Sequence, residues 1–249
     1  MYENYIFDLY GTLVDIHTEE ELPEVWEKMA LFYGYYGAFY SPEALRKRYL
    51  ELISLEETAD SAEPRYAHES FPEIQIEKIF RKLYSEKGYA ADGLLVLHTA
   101  QFFRTLTTEY ICLYEGAIPL LRSLRQAGSK VYLLSNAQRV FTQYELKLLG
   151  IDRFFDRILI SSDYGVKKPD LRFFNVLMEQ ERLLPSRTLM IGNDPVCDIA
   201  GAKNAGLDTF YIHSNLSPDP PSLPEATYVL EQMDLAKVRQ LLIKETLEL

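Results

Sequence analysis

The sequence predicts an α/β fold: a doubly wound parallel sheet with a helical domain inserted after its first strand. Three observations predict it. A short apolar strand, Asn4–Asp8, stands alone near the start. A long stretch of helical periodicity follows, from about Glu19 to Leu113. Beyond it, short apolar runs alternate with amphipathic helical segments, the pattern of parallel strands joined by right-handed crossovers.

Asn4–Asp8 is short and apolar, as a buried strand is, and it stops at Tyr10-Gly11-Thr12, where Gly11 permits a sharp turn. Residues 19–37, 41–59, 72–88 and 92–110 carry apolar side chains at spacings of three and four. Ser41-Pro42-Glu43 has the form of an N-cap, a first-turn proline and an acidic first turn. Glu57–His68 is polar and reads as a loop. After Glu115-Gly116 the character changes. Helices are expected at Ala117–Ala127, Gln138–Leu149, Asp170–Arg182, Pro195–Ala205 and Leu235–Leu242. Gly128, Gly150 and Gly206 end three of them. Strands are expected at Lys130–Leu134, Arg157–Ile160, Thr188–Ile191 and Thr209–Ile212. The sum is a Rossmann-like core.

In such a sheet, ligands bind beyond the carboxyl ends of the strands. The polar segments that follow the strands are Asp8–Thr12, Ser135-Asn136, Lys167-Lys168 and Asn193–Asp198. Topology alone brings all four to one crevice. A carboxylate such as Asp8 at a strand end can attack phosphorus or carbon and form an ester. Thr12 can fix that carboxylate or donate to the substrate. Ser135 and Asn136 offer donors to an anion, and Lys168 offers compensating charge. Asn193, Asp194 and Asp198 offer oxygen ligands that suit a hard cation such as Mg²⁺. Taken singly, each is an ordinary turn, cap or loop residue; only the ordered set is specific.

Composition narrows the partners. The chain has 249 residues, 47% of them hydrophobic, enough for a packed core. Its formal charge of −11 repels nucleic acid and anionic membranes, so an anionic small substrate needs local cations. No apolar run approaches the roughly 20 residues of a membrane helix. The start of the chain shows no secretory signal, and Cys112 and Cys197 make no disulfide framework or zinc pattern, so a reducing cytoplasm is expected. His17, His68, His98 and His213 show no metal-ligand spacing.

Phe7-Asp8-Leu9-Tyr10-Gly11-Thr12-Leu13-Val14-Asp15 resembles the first motif of the haloacid dehalogenase (HAD) superfamily. Leu134-Ser135-Asn136 resembles the second, Gly165–Asp170 the third, and Ile191–Ala202 the fourth. The resemblance runs from residue 4 to about residue 212, with the motifs in order and on the right elements. It implies that Asp8 is a covalent nucleophile. Residues 17–113 would be a helical cap, and 1–16 with 114–249 the core, with Tyr114–Pro119 marking the return. Lys168 would point into the crevice and Lys167 outward.

Two departures divide the reading. The family's phosphatases place an aspartate two residues after the nucleophile, to protonate the leaving group and then activate water. Here that residue is Tyr10, which resembles the family's dehalogenases, where a halide leaves without a proton. A phenol of pKa about 10 is a poor base near neutral pH. The alternative is that Tyr10 packs under the cap, with its backbone carbonyl still available to Mg²⁺. In the fourth motif the usual metal-ligand aspartate is Asn193, followed by Asp194, and Asp198 takes the position behind the ligands.

In the helical insertion, Arg46-Lys47-Arg48-Tyr49-Leu50-Glu51 resembles the dehalogenase segment that presents an arginine, which would be Arg46. A charged helix face explains it as well. Gly11 and Arg46 are the candidate substrate-binding residues. Phe174 stands where the dehalogenases carry a hydroxylated aromatic. Tyr33, Tyr35, Tyr36 and Tyr40 are candidates for the cap's inner face, and Asp15 borders the hinge. The resulting expectation is a Mg²⁺-dependent phosphatase of a small phosphorylated metabolite. The alternatives are a metal-independent 2-haloacid dehalogenase and a catalytically weak binding or regulatory protein.

Overall fold

The computed structural model describes residues 2–59, 71–218 and 222–247. Strand β1 (Asn4–Phe7) is followed by β2 (Val14–Thr18) and four helices: α1 (Pro23–Tyr35), α2 (Pro42–Ala59), α3 (Ile76–Ser85) and α4 (Gly93–Thr107). Then come β3 (Thr108–Leu113), α5 (Ala117–Gln126), β4 (Lys130–Ser135), α6 (Arg139–Leu148), β5 (Arg157–Ile160) and α7 (Leu171–Gln180). The chain continues through β6 (Thr188–Gly192), a π-helical turn (Pro195–Ala200), α8 (Gly201–Asn204), β7 (Asp208–Ile212), β8 (Tyr228–Leu230) and α9 (Leu235–Leu247).

The main sheet has six strands in the order β5-β4-β1-β6-β7-β8, all parallel. Apart from Lys130 at the start of β4, the inner strands are buried because helices cover both faces, which is why their sequences are nearly continuous apolar runs. Alternation then divides the side chains. Tyr5, Phe7, Leu133 and Ile191 pack on one face with Leu120 and Leu124 of α5 and Val238 of α9. Ile6, Leu134 and Met190 pack on the other with Phe173, Phe174 and Leu177 of α7. Because β1 lies between β4 and β6, the chain's direction of winding reverses there, and Asp8 emerges at that switch point.

The helical insertion has its own core, including Trp26, Tyr33, Tyr49, Phe80 and Phe103. Val140 of α6 joins it, so the insertion packs on the core domain through that helix. The Ser41 hydroxyl accepts from the Ala44 amide at 3.2 Å, the expected cap.

Several expectations are corrected. The helical stretch does not run from Glu19 to Leu113: α4 ends at Thr107, and β3 pairs antiparallel with β2, Val14 opposite Leu113. The alternation in Val14-Asp15-Ile16-His17 carried that signal. Asp15 lies on this ribbon, where its carboxylate accepts from Tyr110 and Asn215. Helix α2 continues through Ala59, so Glu57–Ala59 are helical where a loop was expected, and 60–68 lie outside the described residues. The single helix expected at Pro195–Ala205 is a π turn followed by one short α-helix. Strand β8 was not anticipated.

Candidate active site

Asp8 follows β1 directly and is 8% exposed. The Lys168 ammonium, 2% exposed, donates to Asp8 Oδ1 at 2.8 Å, to Asp198 Oδ1 at 2.7 Å and to the Leu134 carbonyl at 2.7 Å. Burial alone would lower its pKa, but the Asp198 and Asp8 carboxylates prevail and hold it above the usual lysine range. Burial pushes the Asp198 carboxyl up, against the pull of Lys168. Lys168 thus points inward as expected. Lys167 is half-buried, and its amide donates to the Phe71 carbonyl.

The fourth segment is built around Asp198. Its Oδ2 accepts from the amides of Asn193 and Asp194 at 3.0 and 2.9 Å, which turns the side chain back beneath the π turn. Gly192 is required there, since a Cβ would lie 2.2 Å from Asp198 Oδ2. Asp194 caps the turn: Oδ1 accepts from the amides of Val196 and Cys197, each at 2.8 Å. Asn193, 4% exposed, turns instead to Thr12 and Ser217, its Nδ2 donating to Ser217 Oγ at 3.4 Å. The Thr12 hydroxyl lies 3.3 Å from Asp8 Oδ2 and 3.2 Å from Asn193 Oδ1, within hydrogen-bond reach of both, and its single proton serves one of them at a time. Gly11 is in the left-handed region, φ +84°, and a Cβ there would meet the Asn193 carboxamide at 2.2–2.8 Å. Its amide donates to the Val14 carbonyl at 2.8 Å, so it is spent within the turn and not on a substrate as expected.

Tyr10 turns its phenol away from Asp8. The hydroxyl donates to Glu145 Oε2 and lies 3.0 Å from Thr142 Oγ1, both on α6. Burial, followed by the Glu145 carboxylate, pushes the phenol well above its usual range. The phenol is thus held against α6, while the ring packs on the core of the sheet.

Asn136 was expected to donate to an anion. Its carboxamide instead donates to the Lys168 carbonyl at 2.9 Å and accepts from the Lys168 amide at 2.8 Å, clamping that loop. The buried Ser135 hydroxyl has no partner among the described residues. Arg46 is not brought to Asp8: it pairs with Glu21 on the cap surface at 3.2 Å, because its helix face points outward. Phe174 is core, packed on Gly201. Tyr33 and Tyr40 donate to the carbonyls of Phe80 and Leu83 within the cap, while Tyr35 is exposed. No metal-holding cluster of His, Cys, Asp and Glu occurs among the described residues, and His68 lies outside them.

Asp8, Tyr10, Asn136, Lys168, Asn193, Asp194 and Asp198 line a cavity of about 170 Å³. Cys197, Leu216 and Pro218 also line it, residues that sequence reasoning did not single out. Leu216 and Pro218 follow β7 and carry no chemical signature. Burial, then Asp194 and Asp198, push the Cys197 thiol up to about 12, so it stays protonated near neutral pH.

A family model for haloacid dehalogenase-like hydrolases matches residues 2–206. HAD-hydrolase YfnB of Bacillus subtilis is 33% identical over 157 residues, 62% of this chain and 64% of that protein. Its magnesium-bound crystal form aligns with a TM-score of 0.54 at 24% identity, over 97% of this chain and 99% of that one. Phosphoserine phosphatase of Thermus thermophilus is 31% identical over 162 residues, 65% of this chain and 63% of that protein. The sequence match therefore spans just under two thirds of each of these relatives. A 2-haloacid dehalogenase of Pseudomonas syringae shares the fold at a TM-score of 0.62 and 19% identity, over 98% of this chain and all 100% of that one. No helix among the described residues is long and apolar enough to cross a membrane.

Proposed function

The chain belongs to the haloacid dehalogenase-like hydrolases, and from that premise we propose that it is a phosphatase of small phosphorylated metabolites, with Asp8 as its nucleophile. One observation carries the choice. The cavity at Asp8 is lined by Lys168 and by the oxygen-bearing side chains of Asn193 and Asp194, and no cap arginine lines it among the described residues. A phosphoryl group needs such a surround; a haloacid carboxylate needs the cap cation, and Arg46 is elsewhere.

In this reading a phosphoryl group enters the cavity beside Lys168; the buried Ser135 hydroxyl, unpartnered among the described residues, is a donor that such an anion could draw in. An Asp8 oxygen attacks phosphorus, the ester oxygen leaves, and water then hydrolyses the aspartyl phosphate. Lys168 balances the charge, Asp198 and Asn136 hold Lys168, and Thr12 orients the Asp8 carboxylate. Tyr10 contributes no proton, so the leaving oxygen takes its proton from solvent. Asp8, Asn193 and Asp194 bring to this cavity the oxygen donors that a hard cation takes, with the Tyr10 carbonyl as a further candidate. Mg²⁺ bound there would supply positive charge that offsets repulsion between Asp8 and the phosphoryl oxygens. Residues 17–113 form the cap in this scheme, and 1–16 with 114–249 the core.

The test is turnover of an aryl phosphate, an alkyl phosphate and a 2-haloacid by wild type and Asp8→Asn. The expected result is aryl phosphate hydrolysis that is sensitive to chelator and absent in Asp8→Asn. General acid help is worth roughly 10²–10⁴-fold, so alkyl phosphates should be far slower. Chelator-insensitive turnover of the haloacid alone would establish the dehalogenase reading, which Tyr10 favours. No turnover of any of the three would leave a binding or regulatory protein.

A further inference from the structure

No residue of 17–113 lines the Asp8 cavity among the described residues. The insertion nonetheless reaches the turn after Asp8 through α4. Arg104 of α4 donates through Nε to Glu145 Oε1 at 2.6 Å. The other oxygen of that carboxylate, Oε2, accepts from the Tyr10 phenol. Arg104 and Glu145 are 19% and 11% exposed, so the pair is largely shielded from water. The guanidinium also lies over the Phe141 ring at 5.2 Å and the Tyr10 ring at 6.0 Å.

We infer that Arg104 is a positioning residue: through Glu145 and Tyr10 it fixes the turn that carries Asp8, so that the seating of the cap sets the geometry of the nucleophile. The inference rests on Asp8 being the reacting residue. Tyr10 is two residues from Asp8, inside a turn tied by the amides of Leu13 and Val14 on the Leu9 carbonyl and of Gly11 on the Val14 carbonyl. A turn so tied moves as a unit, so a displaced Tyr10 carries Asp8 with it. Both oxygens of Glu145 are engaged, one by the cap and one by the turn, and with Thr142 beside the phenol the carboxylate has little freedom of its own. Losing Arg104 leaves a shielded carboxylate without its cation, and the group that must then rearrange is the one holding Tyr10.

The test uses Arg104→Met, Arg104→Lys, Tyr10→Phe and the double variant Arg104→Met/Tyr10→Phe in the full chain. Because Arg104 does not touch the cavity, Arg104→Met should lower kcat on an aryl phosphate about tenfold, with KM within about twofold of wild type. The double variant should be no worse than the weaker single, since both changes cut one chain of contacts. Arg104→Lys should recover part of the loss. Spectra of protein labelled with ¹³C at tyrosine Cζ give a readout independent of turnover: the resonance absent in Tyr10→Phe should shift in Arg104→Met and return toward wild type in Arg104→Lys. An unmoved resonance, additive losses in kcat, or a raised KM with kcat kept would each overturn the inference. Failure of the nucleophile reading is distinguishable, because it appears as retained turnover in Asp8→Asn whatever Arg104 does.

Discussion

Lys168 is the side chain on which the site depends most. It separates two buried carboxylates, and removing one partner of a buried ionic set costs about 3–5 kcal/mol. Lys168→Met should therefore lose turnover and unfold at lower denaturant concentration than wild type. The deficit should depend on pH. Without Lys168, burial and Asp8 keep the Asp198 carboxyl above its ordinary value. A carboxyl raised in the folded state favours folding at low pH, and that contribution is lost as pH rises through the folded value. The deficit should thus be largest above neutrality and narrow as pH falls toward about 4, the ordinary carboxyl range. Urea midpoints across that span measure it, and a deficit that widens on acidification would contradict the assignment. Gly11 makes a second point at this scale. Gly11→Ala must place a Cβ in the left-handed region and against Asn193. The backbone strain alone costs roughly 1–2 kcal/mol, so both the melting temperature and turnover should fall.

The element that sequence reading described least well is the turn after β6. Residues 195–205 have the composition of a single helix, but the Asp198 carboxylate folds back onto the amides of Asn193 and Asp194, and the backbone widens into a π turn to allow it. Helical periodicity cannot register such a contact. Asp194 holds the start of the turn, and Asp194→Ala removes both of its cap bonds. A loss of about 0.5–2 kcal/mol is expected by thermal unfolding, with Asp194→Asn closer to wild type. The β2–β3 ribbon teaches the opposite lesson: its alternation was present in the sequence and was overshadowed by the long helical pattern beside it.

Across the whole molecule, the helical insertion is joined to the loops after β4 and β5 by a buried polar clasp. Glu73, 9% exposed, accepts from Gln138 Nε2 at 3.1 Å and from the Ser161 hydroxyl at 2.6 Å. Around it, the Glu73 amide donates to the Gly165 carbonyl, the Lys167 amide to the Phe71 carbonyl, and the Ile76 amide to Gln138 Oε1. Gly165 and Lys167 belong to the loop that delivers Lys168, so the clasp binds the helical insertion to that loop. Glu73→Ala should leave its partners short of bonds, at about 1–3 kcal/mol for each group left unpaired. Hydrogen exchange should quicken at the amides of Glu73, Ile76 and Lys167 while the strands of the sheet stay protected. Unchanged exchange at those amides would show that the clasp is not what holds the segment.

The sequence by itself determined the α/β class, the insertion after the first strand and the convergence of Asp8, Lys168, Asn193 and Asp198, because strand period, helix period and parallel topology are properties of local pattern. Only the tertiary structure decided what Tyr10, Asn136, Gly11 and Arg46 touch. The Tyr10 phenol could face Asp8 or α6 with equal local propriety; Glu145 and Arg104, 135 and 94 residues away along the chain, draw it to α6. Such partners are chosen by packing between distant segments, for which a single sequence carries no period.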